Sequence, residues 1–165
     1  MAQDVVCIAN YLLSKDTSKS LFNKNLVRKN GRAFYEGNAR LNKYLHLAQN
    51  IYIAKTGEKL FSEDLYAYDN GAVAPSVQTN YSILLSRNEV STLPGDIQSY
   101  LDKIYAVFEN ATLDELIELS HEDSEWVDKH HHYAKADQRM DSLSRVEEYR
   151  KQYSDIIMVM DRMTV

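Results

Sequence analysis

The chain has 165 residues, 44% of them apolar and 26% charged, with a net charge of −5, the balance of one soluble globular domain long enough to build a proper core. A single cysteine, Cys7, excludes an internal disulfide, and no apolar run approaches the roughly 20 residues of a membrane span. Two prolines and five glycines favour helices over a turn-rich sheet protein, and with no secretory signal pattern at the start the expected compartment is the cytoplasm.

Val5, Val6, Ala9, Leu12 and Leu13 predict a short amphipathic first helix, with Cys7 as a buried helical thiol rather than a nucleophile. The stretch from Ser14 to Asn38 mixes Leu21, Phe22, Leu26, Val27, Phe34 and Tyr35 with basic residues. Leu21, Phe22 and Leu26 read as one or two helical turns, and Arg32 to Tyr35 as a short strand. Leu41, Tyr44, Leu45, Ala48, Ile51 and Tyr52 then recur at spacings of three and four along one helix face, and Gly57 supplies a helix stop.

A short hairpin follows, with Leu65, Ala67 and Val73 expected on one side of the ladder and Tyr66 and Tyr68 on the other. Asp69-Asn70-Gly71 is the turn, because Asn and Gly tolerate the left-handed backbone a tight hairpin needs. Pro75 opens a helix whose apolar face is Val77, Tyr81, Leu84 and Leu85. Beyond the Leu93-Pro94-Gly95-Asp96 loop, Ile97, Tyr100, Leu101, Ile104, Tyr105 and Phe108 give the clearest helical period of the chain. Thr112-Leu113-Asp114-Glu115 is a capping-box pattern opening the next helix, and Trp126 is expected to close over the core. A polar run containing His130-His131-His132 leads to a final helix from about Ser142. Its stripe is Leu143, Val146, Tyr149, Tyr153, Ile156, Ile157, Met160 and Met163, with core as the default and a helix pair as the alternative.

Charge is unevenly distributed. Lys15, Lys19, Lys24, Arg28, Lys29, Arg32, Arg40 and Lys43 crowd the first third, against only Asp16 and Glu36 between Lys15 and Lys43, whereas Asp96 to Asp128 is acidic against Lys103 alone. Such asymmetry suits a charged partner or head-to-tail contact between copies of the chain, and two solvated faces are the simpler account. A basic, aromatic-containing segment also invites a nucleic-acid reading, but no reader motif accompanies it.

No Walker-type, GxGxxG or GxSxG pattern and no HExxH or paired CxxC is present. The three consecutive histidines point in divergent directions on either helix or strand, which argues against a zinc site. His121-Glu122-Asp123 offers acid–base groups without a visible partner. Neither an enzyme, a metal nor a cofactor is therefore expected; a hydrolase built on His121 is the weakest of the readings.

Three runs carry a family resemblance: Leu41-Asn42-Lys43-Tyr44-Leu45-His46-Leu47-Ala48-Gln49, Gly57-Glu58-Lys59-Leu60-Phe61, and Asp69-Asn70-Gly71-Ala72-Val73-Ala74-Pro75. With Leu119-Ser120-His121 and Trp126, they resemble the Panacea domain of the SocA-type antitoxins, phage-associated proteins also called GepA-like. Ala72 and Asn70 stand where the family usually has proline and an aromatic residue. The resemblance implies a mainly α, single compact helical domain with a small central β-hairpin, residues 1–126 forming the family domain and 127–165 a polar linker and C-terminal helix packed on it or extending it. It also implies an antitoxin that neutralises a cognate toxin protein by direct binding. Partner contact is expected from Arg28, Lys29, Arg32, Tyr66, Tyr68, Asp69 and Asn70. Gly71, Val73, Pro75, His121 and Trp126 are expected to be scaffold. The rival of another class is a DNA-binding regulator from a phage or mobile element.

Overall fold

In the computed structural model, which describes residues 1–87, 89, 92–132 and 134–163, the protein is mainly α-helical with two small antiparallel hairpins. α1 (Val5–Lys15) is capped by Asp4, whose carboxylate accepts from the Val6 N–H. β1 (Leu26–Lys29) and β2 (Arg32–Tyr35) pair across an Asn30-Gly31 turn in which both residues have positive φ. Leu26 is therefore the start of a strand rather than part of a helical turn. Asn-Gly at the two central positions of a tight hairpin is the stronger local signal, and it overrides the apolar spacing.

α2 (Glu36–Thr56) is the axis of the molecule. Gly57 ends it in the left-handed region, its N–H bonded to the Ile53 carbonyl. The amphipathic helix expected here is enclosed on all sides: every residue from Arg40 to Ile51 is buried. α1, the strand at Gly71–Val73 and the helices at Gly95–Phe108, Leu113–His121 and Val146–Gln152 all pack against it, so the polar positions Asn42, Lys43, His46, Gln49 and Asn50 are enclosed by protein. Most are hydrogen-bonded, as buried polar groups must be. The Gln49 side chain, for example, accepts from Leu60 N–H at 2.7 Å and donates to the Phe61 carbonyl at 3.0 Å, which fixes the chain beyond Gly57.

β3 (Tyr66–Tyr68) and β4 (Gly71–Val73) pair with Tyr66 opposite Val73, Ala67 opposite Ala72 and Tyr68 opposite Gly71. Directly opposed residues share a face, so Val73 lies with the tyrosines, and Ala72 is the companion of Ala67. The expected side for Val73 is corrected accordingly: a turn of two residues, not three, sets the register. Pro75 opens α3 (Pro75–Thr79) at its first turn, and a break at Asn80 separates it from α4 (Tyr81–Arg87). α5 (Gly95–Phe108) turns Ile97, Tyr100, Leu101, Ile104 and Phe108 inward. α6 (Leu113–His121) starts on a complete Thr112–Glu115 capping box, and α7 (Ser124–His130) starts on Asp123. In place of one final helix there are a 3-10 turn over Ser142–Arg145, α8 (Val146–Gln152) and α9 (Ser154–Asp161), interrupted at Tyr153. Tyr149, Tyr153 and Met160 enter the same core as α2, whereas Leu143 and Met158 stay exposed.

Candidate functional site

The two hairpin tips meet. Asn30 Nδ2 donates to Asn70 Oδ1 at 2.7 Å, joining segments 40 residues apart into one surface. Beside them opens a cleft of about 740 Å³, walled by Arg32 and Phe34 from β2, Tyr68 and Asp69 from the second hairpin, and His130–His132. Lys43, from α2, also lines it.

Helices α6 and α7 clamp the second hairpin. Trp126 is sandwiched between His121 and His130, with ring centroids 4.0 and 4.3 Å apart and planes within 18° and 15°. Its indole N–H donates to the Tyr68 carbonyl at 3.0 Å. His121 Nε2 donates to the Asp69 carbonyl at 3.1 Å, and His130 Nε2 lies 2.8 Å from the Asp69 carboxylate. Burial of His121, aided by the charges of Lys43, His130 and His46, holds its imidazole below the ordinary histidine range against the opposing pull of the Asp69 carbonyl. The neutral ring with its proton on Nε2 makes the hydrogen bond and the stack together.

Beneath this clamp lies a polar chain that the sequence reading did not identify. Ser120 Oγ is 2.9 Å from His46 Nδ1, and His46 Nε2 is 2.7 Å from Asp123 Oδ2. The same carboxylate accepts from Asn50 Nδ2 at 2.9 Å, from the Tyr149 hydroxyl at 2.8 Å and from the Glu125 N–H at 2.9 Å. Burial alone would push the Asp123 carboxyl up. Hydrogen bonding and charge from His46, with Asn50 and Tyr149, outweigh it and hold the carboxyl below its ordinary value. Serine, histidine and aspartate in series are the parts of a hydrolase triad, but Ser120, His46 and Asp123 are each 0% exposed. Ser120 Oγ also accepts from the Ala72 N–H at 3.3 Å. Neither Ser120 nor His46 reaches the cleft wall, so a substrate has no approach to Oγ, and the chain ties α2, α6, α8 and β4 together. Its sequence trace is the set of polar residues Lys43, His46 and Asn50 at three- and four-residue spacing, running alongside the apolar positions of α2. Solvation explains such a stripe equally well.

Residues 41–127 match the family model described as antitoxin SocA-like, Panacea domain. The chain belongs to this family. The matched span of the Panacea domain runs from the start of the apolar part of α2 to the residue after Trp126, and it contains the second hairpin, His121 and Trp126 of the clamp, and Ser120, His46 and Asp123; His130, the other face of the clamp, lies three residues beyond it. Searches of curated proteins and of solved structures return no match.

Of the residues expected at the partner surface, Asp69 and Arg28 are exposed, as is Arg32, and Tyr66, Tyr68, Lys29 and Asn70 are half-buried. Several are engaged within the chain. Lys29 pairs with Asp114 at 2.5 Å, Arg32 Nε lies 3.8 Å from Asp69, and Lys135 sits over the Tyr68 ring. Gly71, at φ 116°, lies where a Cβ would come within 2.3 Å of Lys43 Cε and 2.7 Å of Ser120 Oγ. Val73 is buried in β4, and Pro75 begins α3. Among the described residues, no group of three or more His, Cys, Asp or Glu side chains converges as a metal site, and none of the helices is long and apolar enough to cross a membrane.

Proposed function

We propose that this Panacea domain neutralises a cognate toxin by binding it directly through the face made by the two hairpin tips and the cleft beside them. The observation that carries the reading is the Asn30–Asn70 junction. It makes one continuous surface of the basic ribbon (Arg28, Lys29, Arg32) and the tyrosine-bearing hairpin (Tyr66, Tyr68, Asp69). Aromatic and arginine side chains around a concavity are the composition of interface anchors. The clamp of His121, Trp126 and His130 pre-organises the hairpin, so little ordering entropy is lost when a partner docks. Gly71 and Val73, in the wall of the cleft, and Pro75, behind it, act as scaffold.

The test is co-expression and pull-down with the product of the adjacent gene. Toxicity of that product alone, its relief by this chain, and co-purification of the two support neutralisation by contact. Absence of both toxicity and binding removes the reading. Salt-sensitive binding of duplex DNA through Arg28, Lys29 and Arg32 would then favour the regulator instead.

A further inference from the structure

Lys43 is only 2% exposed, yet no carboxylate or other acceptor among the described residues pairs with its amine. The stem is enclosed while the amine reaches the cleft, and an ammonium held largely out of water with no protein partner is a costly arrangement. The fold nevertheless makes room for it. Gly71 leaves open the space beside the lysine stem, and Lys43 Nζ lies 2.8 Å from the point where a Gly71 Cβ would sit. The amine belongs to the wall of the cleft.

The groups facing this interior are mostly cationic or neutral. Behind the amine, α2 supplies His46, and the turn after α6 supplies Asp123, whose carboxylate is already taken up by His46, Asn50, Tyr149 and the Glu125 N–H; β2 supplies Arg32 and α6 supplies His121. His130 to His132 and Lys135 come from α7 and the segment after it. Among the described residues, Asp69 is the one carboxylate of the cleft wall, and His130 and Arg32 already share it.

We infer that the cleft is a receptor for one anionic oxygen group that pairs with the Lys43 amine, and that in the antitoxin's complex an acidic side chain of the toxin supplies it. This rests on neutralisation by direct binding. The volume of about 740 Å³ lies within the range of ligand-sized pockets, enough for a carboxylate and the residues flanking it. A free carboxylate or phosphate would satisfy the same chemistry, and the experiment separates the two sources. Burial pushes the Lys43 amine down to about 7, so near neutral pH it is only partly protonated, and an arriving carboxylate draws a proton on with it.

Calorimetric titration of the full chain with purified toxin at pH 7.5, in buffers of different ionisation enthalpy, reads both affinity and proton uptake. The wild-type complex is expected to take up about half a proton or more through Lys43. Lys43→Met should lose that uptake and weaken binding at least tenfold, with Lys43→Gln as a second variant and melting curves confirming that both fold. A Lys43→Met protein with wild-type affinity and uptake overturns the inference while leaving toxin binding intact. Failure of the wild-type chain to bind toxin overturns the neutralisation reading and this inference with it. In the second arm, the Lys43 Cε resonance of the free chain is followed against acetate and inorganic phosphate. Saturation below millimolar concentration, with toxin affinity indifferent to Lys43, overturns the toxin side chain as the occupant.

Discussion

Asp123 and Lys43 are buried in one polar interior, and their surroundings treat them in opposite ways. Asp123 has every lone pair engaged by His46, Asn50, Tyr149 and Glu125 N–H. Asp123→Ala leaves those donors facing a void, and urea unfolding at pH 7 should show a loss of about 3–5 kcal/mol. The sign with pH follows from the lowered carboxyl. Its contribution is complete above the unfolded value of about 3.9 and is lost as pH falls through the folded one. Asp123→Asn should therefore flatten the acid limb of the wild-type stability curve. Lys43 runs the other way. Its amine falls from 10.5 to about 7 in the fold, so the unfolded chain binds the extra proton between those values and stability rises with pH across that window. Lys43→Met should stabilise most at and below pH 7, by an amount bounded at about 4–5 kcal/mol. The gain should vanish near pH 10.5, as paired denaturation curves at the two pH values would show.

Gly31 completes the first hairpin turn and Gly71 opens the strand after the second, and each is a glycine for a different reason. Gly31 has φ 76° and open space where a Cβ would go, whereas Gly71 has φ 116° and meets Lys43 and Ser120 there. Gly31→Ala should cost about 1 kcal/mol for the backbone alone. Gly71→Ala adds a steric clash, and thermal melts should place it at least about 1 kcal/mol below Gly31→Ala. The second hairpin, the capping box on α6 and the period of α5 were legible in the sequence because each is a local signal agreeing with its surroundings. Of the first hairpin only the strand Arg32 to Tyr35 was legible; the turn signal Asn30-Gly31 is present, but the weak alternation of Leu26 to Lys29 hid the other strand. The breaks at Asn80 and Tyr153 were not legible, since apolar spacing runs through both. Least legible was the burial of the polar face of α2. Whether Asn42, His46 and Asn50 meet water or protein is decided by α6, α8 and β4, which arrive from far along the chain.

Across the whole molecule, the charge asymmetry of the sequence is partly consumed inside the fold. Lys15 pairs with Asp102 at 2.7 Å and Lys29 with Asp114, so basic and acidic segments are stitched together at two points. Arg28 carries no such bond among the described residues, and Arg32 reaches Asp69 only at 3.8 Å with most of its side chain in solvent. These two remain free to steer an approaching partner. Charges at an interface rim act mainly on the association rate and are screened by salt. Arg28→Glu with Arg32→Glu should slow association with an acidic toxin surface by about tenfold at low ionic strength, an effect shrinking toward none at 1 M salt. Lys29→Glu should also cost stability, because it turns the pair with Asp114 into a repulsion. Surface-plasmon rates across a salt series distinguish these outcomes: an association rate unmoved by the double reversal would take the basic ribbon out of the interface and leave the tyrosine hairpin to account for binding.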